Sequence, residues 1–231
     1  MSNPREEQGM TGFELEFAGQ QLVALSSGAL WWPDWRLLCV SDLHLGKSER
    51  IARRGAPALP PYETRDTLSR LADDLDQTGA RIVVCLGDSF DDLEAARALG
   101  EGDRRWIASL QAGRDWTWIE GNHDPGPVEI GGQHRHDLRI DTVTFRHIAD
   151  PVATGEISGH YHPKARVRTH GRSITRTAFL MDRDRLLLPA YGTYTGGLHC
   201  DEPVLRDLMR PDAVAILTGT PPRPVPMPRD R

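Results

Sequence analysis

Five short clusters carry the residue types of a metal-assisted hydrolase. They are Asp42-Leu43-His44, Gly87-Asp88, Gly121-Asn122-His123-Asp124, the single His147, and Gly159-His160-Tyr161-His162. Carboxylate, amide and imidazole donors mixed in this way suit manganese, iron or zinc better than calcium. A carboxylate shared between two such ions lets the pair grip a phosphoryl group, acidify a water between them and stabilise both attacking and leaving oxygens. Each cluster alone is a weak signal, because a lone histidine beside an apolar run is usually structural and Gly-Asp is commonplace. The signal lies in their succession, each after or beside an apolar run that reads as a strand.

Those runs set the expected architecture. Arg36 to Val40 ends at Ser41-Asp42, Ile82 to Leu86 runs into Gly87-Asp88, and Trp116 to Ile119 runs into Glu120-Gly121-Asn122. An amphipathic helix is expected over 62–78, with Leu68, Leu71, Ala72 and Leu75 on one face and Gly79 as its stop, and another helix over 93–112. Strand–helix alternation argues for an α/β fold, whose sites sit at the carboxyl ends of strands. Alternate residues of a strand share a side, so Asp42 with His44, and His160 with His162, face a common point if strand geometry persists there. Gly87, Gly121 and Gly159 permit sharp turns beside a ligand. Before these, Phe13 to Phe17 and Leu22 to Leu25 read as strands and Trp31 to Trp35 as an aromatic turn. Later, strands at 138–140, 142–147, 165–168, 173–175, 178–181 and 213–217 lack long helices between them, which suggests a second, mostly antiparallel sheet. The expected fold is thus two packed mixed β-sheets flanked by helices, one domain over 1–220, and a Pro-rich flexible tail over 221–231.

Composition narrows the classes. The chain has 231 residues, 39% hydrophobic and 26% charged, which suits one folded domain rather than a disordered chain. A net charge of -5 excludes nucleic-acid binding by bulk charge, so any such contact must be local. Cys39, Cys85 and Cys200 are odd in number and widely spaced, which argues against a disulfide framework or structural zinc site. Cys39 and Cys85 lie in apolar runs and read as buried. Neither a signal-peptide core in residues 1–11 nor an apolar span of roughly 18 residues is visible, so a cytoplasmic protein with no membrane partner is expected.

Taken together, DxH, GD, GNHD and GHxH over residues 36–163 resemble the calcineurin-like metallophosphoesterase superfamily. The resemblance implies one metal held by Asp42, His44, Asp88 and His162, and a second held by the same Asp88 with Asn122, His147 and His160. His147 is preferred over His134, His136 and His170 because it ends a β-like run. The resemblance also places His123 near the leaving oxygen, as general acid or transition-state stabiliser, with Asp124 orienting its ring. Asp91 and Asp92 read equally as supports for a metal ligand or as solvated loop carboxylates. Protein phosphatases of this superfamily show GDxVDRG and GNHE. Here Gly87-Asp88-Ser89-Phe90-Asp91-Asp92-Leu93 lacks the arginine that grips a phosphomonoester.

The flanks are similar to the small bacterial phosphoesterases called PdeM, the ligase-associated DNA damage response endonucleases. The segments concerned are Ser41 to Lys47, Arg53-Arg54-Gly55 with Pro57, Pro60 and Pro61, and Leu187 to Gly197. That likeness implies a DNA phosphodiesterase or endonuclease in bacterial repair, partnered by a ligase, a helicase and an exonuclease. It puts manganese first, ahead of iron and zinc, for the two divalent ions. The alternative is a small-molecule phosphatase or nucleotide phosphodiesterase using the same site. Lys47, Arg53 and Arg54 are expected to hold a phosphate backbone. Trp31, Trp32 and Trp35 read either as stacking surfaces or as the closure of a core edge, and Tyr191 to Gly197 as a tight loop near the metals.

Overall fold

Burial of both faces of the central strands decides the layering. The computed structural model describes residues 11–55, 60, 62–169 and 171–229, so Pro57, Pro61 and His170 lie outside the described residues. The first sheet comprises β1 (Gly12–Phe17), β2 (Gln20–Leu25), β3 (Leu30–Trp32), β4 (Leu37–Val40), β5 (Ile82–Leu86), β6 (Asp115–Ile119) and β7 (Gln133–Arg135), in that spatial order. It is antiparallel from β1 to β4 and parallel from β4 to β7. The second comprises β8 (Asp137–Ile140), β9 (Val143–Arg146), β10 (Glu156–Ser158), β11 (Lys164–Thr169), β12 (Arg172–Met181), β13 (Arg185–Leu187), β14 (Val214–Leu217) and β15 (Arg223–Pro226). Its order is β15-β14-β12-β13-β10-β9-β8, with β11 paired only to β12. The helices are α1 (Lys47–Arg53), α2 (Glu63–Thr78), α3 (Leu93–Ala98), α4 (Glu101–Gln111) and α5 (Pro203–Leu208).

Side chains alternate across each strand. Leu37 and Cys39 of β4 and Val84 and Leu86 of β5 pack on Phe145, Ile157 and Phe179 of the second sheet. Leu38, Val40, Val83 and Cys85 turn the other way, onto Leu68, Leu71 and Leu75 of α2 and Ile107 of α4. Strands buried on both faces read as unbroken apolar runs, and Cys39 and Cys85 are both buried, as expected. The outer face of the second sheet, through Ala178, Leu180 and Ala215, packs on Leu205 of α5 and on Met209.

Several expectations are corrected. The helix expected over 93–112 is two helices, because Leu99 turns to φ -51°, ψ 129° before Gly100, a poor helix former. Trp31 and Trp32 lie buried in β3, and the turn is the 3-10 segment Pro33–Trp35, so those two rings close the core and do not face solvent. The strands expected at 173–175 and 178–181 are one ten-residue strand, β12. The second sheet is mostly antiparallel, as expected, but has a parallel centre of β9, β10 and β13. The basic stretch after His44 is helical, as α1. The segment read as a flexible tail contributes β15, paired with β14, and Met227 beyond it is buried. Prolines are tolerated there because β15 is an edge strand.

One loop fastens the second sheet to the first metal motif. The Tyr191 and Gly192 N–H groups donate to the Ser41 and Asp42 carbonyls at 2.8 and 3.1 Å. The Tyr191 hydroxyl donates to Asp74 Oδ2 of α2 at 2.8 Å, and Ser27 Oγ donates to the same oxygen at 2.7 Å. Replacing Tyr191 by Phe removes one donor from a buried carboxylate, and unfolding free energy is expected to fall by about 1–2 kcal/mol. Urea unfolding checks this, as a lower midpoint at constant slope; an unchanged midpoint would discount the clamp.

Candidate metal centre

The clusters converge where β4, β5, β6, β9 and β10 end, but strand geometry does not carry them there. Asp42, His44, Asp88, His160 and His162 all take left-handed backbone conformations, with φ of 53°, 45°, 45°, 70° and 47°. That corrects the alternate-residue argument, since each pair is aimed inward by turns rather than by a pleat. Left-handed residues with side chains cost on the order of 1–2 kcal/mol each, so neighbouring backbone must hold them. His44 and Leu45 N–H donate to the Asp88 and Ser89 carbonyls, both at 2.9 Å, and Gly159 N–H to the His147 carbonyl at 3.0 Å. Of the three motif glycines only Gly87 needs a positive φ (72°). Gly121 and Gly159 are required by close approach, because a Cβ would meet the Asp88 carboxylate in one case and the Ser41 hydroxyl and Asp42 carboxylate in the other.

The donors fall into three groups whose ligand atoms lie within 4.8 Å of one another: Asp42 with His44 and His162, Asp88 with His147 and His160, and, towards the rim, His44 with Asp91 and His123. In the first, His162 Nε2 is 3.0 Å from Asp42 Oδ1 and 3.4 Å from His44 Nε2. In the second, His147 Nε2 is 3.0 Å from Asn122 Oδ1, 3.3 Å from His160 Nδ1 and 3.4 Å from Asp88 Oδ2. The outward nitrogens are committed elsewhere. His147 Nδ1 donates to the Leu86 carbonyl at 2.8 Å, and His44 Nδ1 lies 3.0 Å from Asp91 Oδ1. Such outer partners leave the Nε2 lone pair facing inward, as a metal ligand requires. Asp42 is completely buried, and its Oδ1 lacks a partner in hydrogen-bond geometry. Converging imidazole nitrogens beside an orphaned, buried carboxylate oxygen fit divalent cations.

Charge follows from this packing. Burial alone would raise the Asp42 carboxyl, but His162 and His147, with the Ser41 hydroxyl, outweigh it and hold it low. Burial likewise opposes ionisation of Asp88, yet the His147 partner and the His123 N–H bring it to about 2. Burial would lower His147, and the carboxylates of Asp88 and Asp42 instead lift it to about 9. His160 is pushed down, first by burial and then by the charge of His147.

His123 stands at the rim with its side chain 31% exposed; its Nδ1 lies 2.8 Å from the Asp91 carbonyl and its Nε2 is 4.0 Å from Asp88 Oδ2. The expected orienting role of Asp124 is not met. Its carboxylate accepts the N–H groups of Asp88, Ser89, Phe90 and Gly121 at 2.8–3.2 Å, tying the loop after β5 to the loop after β6. Burial and the charge of Asp88 raise its carboxyl to about 6 despite those donors. Of the two loop carboxylates left open by the sequence, Asp91 is the buried support. It contacts His44, accepts from Arg50 Nη1 at 2.8 Å and lies 3.8 Å from Lys47 Nζ. Arg53 is not presented to a phosphate, because Glu49, Asp92 and Glu94 surround its guanidinium. Arg54 is exposed at the end of α1. The competing His134 bonds the Val128 backbone, and His136 is largely exposed.

Proton release should follow from these charges. At pH 7.5 His147 carries a proton, whereas Asp88 is already ionised. A cation needs the neutral imidazole, so binding is expected to release about one proton. Release should shrink, and apparent affinity level off, above pH 9. Calorimetric metal titration in buffers of different ionisation enthalpy checks this; release that is nil at pH 7.5 would sink it.

The model of the calcineurin-like phosphoesterase family matches residues 36–222, a span that includes every ligand-bearing loop. The solved structure of Pseudomonas putida nuclease MPE is similar to this chain, with a TM-score of 0.70 and 27% identity over 92% of this chain and 100% of that one. No curated protein matches the sequence at a significant level. The chain belongs to the calcineurin-like phosphoesterase family and is a metal-dependent phosphoester hydrolase.

Proposed function

We propose that this chain is a dinuclear phosphodiesterase that cleaves DNA internally and serves bacterial DNA repair. The observation that carries the reading is that two groups of inward-facing donors adjoin, the His160 N–H of one donating to Asp42 Oδ2 of the other at 3.0 Å. Asp88 is assigned as the shared carboxylate, with Asp42, His44 and His162 on one side and Asn122, His147 and His160 on the other. Bound divalent ions, manganese first, then iron or zinc, would supply an acidified water and offset phosphoryl charge.

The chain's own residues do the rest. His123, with Nδ1 held at the Asp91 carbonyl, offers Nε2 to the leaving oxygen, where a proton is needed. Asn122 is exposed and His123 is only partly covered, so the centre is accessible to a phosphate within a long chain. Arg50 and Arg53 are turned to Asp91, Asp92 and Glu94, which leaves neither as a bidentate clamp for a monoester dianion and favours a singly charged diester. The nuclease likeness supports DNA as substrate. The repair role, and a ligase, a helicase and an exonuclease as partners, rest on the sequence resemblance. Among the described residues no helix is long and apolar enough to cross a membrane, and we assign the protein to the cytoplasm. A second reading, a nucleotide phosphodiesterase or small-molecule phosphatase, draws on a cleft of about 300 Å³ beside Asn122 and His147, lined also by Pro125, Arg146 and Ile148.

Manganese-dependent turnover of bis-p-nitrophenyl phosphate should exceed that of p-nitrophenyl phosphate, and Asp88→Asn should abolish it. A preference for the monoester would move the assignment to a phosphatase, and full activity of Asp88→Asn would remove the shared-carboxylate role. His123→Ala should keep metal affinity and lower kcat by about 10²–10⁴-fold. Loss of bound metal in that variant, measured by elemental analysis, would make His123 a ligand instead.

A further inference from the structure

The most concentrated positive charge outside the metal centre lies on the hairpin of β11 and β12. Residues 164–181 include Lys164, Arg166, Arg168, Arg172 and Arg176 and contain no Asp or Glu, in a chain of net charge -5. The strands pair antiparallel, with Lys164 opposite Thr177, Arg166 opposite Thr175 and Arg168 opposite Ser173. Opposed residues, and residues two apart, share a face. One face is therefore a ladder of three rungs, each a cation beside a hydroxyl. Its outer members Arg166, Arg168, Ser173 and Thr175 are exposed.

The other face carries Arg172 and Arg176, both exposed and off the ladder, and is anchored to the core at its base. Ala165 is fully buried there, and Val167 packs against the core cluster around Leu205. Elsewhere in the chain arginines are commonly neutralised, as Arg50 and Arg53 are by Asp91 and Asp92. None of the five hairpin cations takes part in an ion pair among the described residues. The His199 imidazole, 3.3 Å from Arg166 Nη2, adds a polar group but no negative charge.

We propose that this hairpin is a binding track for the phosphate backbone of a DNA strand that runs through the metal centre; the identity of the strand rests on the nuclease reading above. Guanidinium, ammonium and hydroxyl groups are the side chains that grip phosphate oxygens without reading sequence. Rungs repeat every two residues, about 6.8 Å, comparable to the separation of successive phosphates along a strand. The ladder starts at Lys164, two residues beyond His162, which puts its first rung next to the loop that carries His160 and His162 and within reach of a strand whose scissile phosphate lies among the donors. A chain that is acidic overall thereby gains a local cationic surface that begins two residues from His162.

The test uses the full chain and the double variant Arg166→Ser with Arg168→Ser. Binding of a long fluorescent single-stranded oligodeoxynucleotide is measured with EDTA present across a salt series, and manganese-dependent hydrolysis of bis-p-nitrophenyl phosphate is measured separately. Hydrolysis of the small diester should be unchanged, which also reports correct folding. DNA binding should weaken about tenfold, equally for unrelated sequences, and the slope of log affinity against log salt should become shallower by about 1.4, the single-strand value for two lost phosphate contacts. Lysine at both positions should restore most of the binding, since it also neutralises a phosphate. Unchanged affinity and slope would overturn the track, as would a loss seen with RNA but not with DNA, or failure of the wild-type chain to bind DNA at all. If DNA is bound through Arg166 and Arg168 yet not cleaved, the nuclease reading falls while the track stands.

Discussion

Everything in this molecule answers to one electrostatic constraint: electron-rich nitrogens and oxygens must converge within a few ångströms while shielded from water. Left to themselves such groups repel, and a buried charge without a partner is costly. The chain meets the constraint with backbone. Five of the candidate ligand positions sit in left-handed turns, and those turns are stitched to one another by peptide hydrogen bonds and by the Asp124 carboxylate. The two sheets serve the same end. Their shared apolar layer brings the loops after β4, β5 and β6 against the loops after β9 and β10, and the Tyr191-Gly192 segment locks that meeting from behind.

A ring of opposite charges surrounds the centre and controls its orientation. Asp91 lies against His44 and accepts from Arg50, and its backbone carbonyl fixes His123. Asp92 caps α3 through the Ala95 N–H at 2.7 Å and also accepts from Arg53 of α1. The cations closest in sequence to the first metal motif are thus used to hold loops in place. The cations of the β11–β12 hairpin, which follow His162, have no ion-pair partner among the described residues, and Arg166 and Arg168 face solvent. Both basic stretches follow a metal motif in sequence, so the acidic partners supplied by folding decide which charges remain available for a ligand.

Legibility varied with the physical origin of each element. β4 and β5 were plain because burial of both faces leaves an unbroken apolar run, and α2 because its buried residues repeat along one stripe and end at Gly79, which takes φ 61°. The break between α3 and α4 was missed because a single Leu-Gly step decides it, and α1 because a short helix with one buried residue, Ser48, has no apolar stripe to read. β15 was hidden by its prolines and exists because β14 supplies a partner. The cationic ladder was invisible for a related reason: Arg166 and Thr175 become neighbours only through strand pairing.

The sequence by itself determined which donors are on offer and that they follow apolar strands, since residue types and their positions along the chain are local facts. Tertiary structure decided how each donor is used. His147 faces inward with Nε2 because its Nδ1 meets the Leu86 carbonyl, 61 residues away. His123 is oriented by the Asp91 carbonyl, and Asp124, its neighbour in sequence, spends its oxygens on the backbone of residues 88–90. Which nitrogen carries a proton and which charge is left free depend on partners brought together by folding, and no local pattern of residues encodes that.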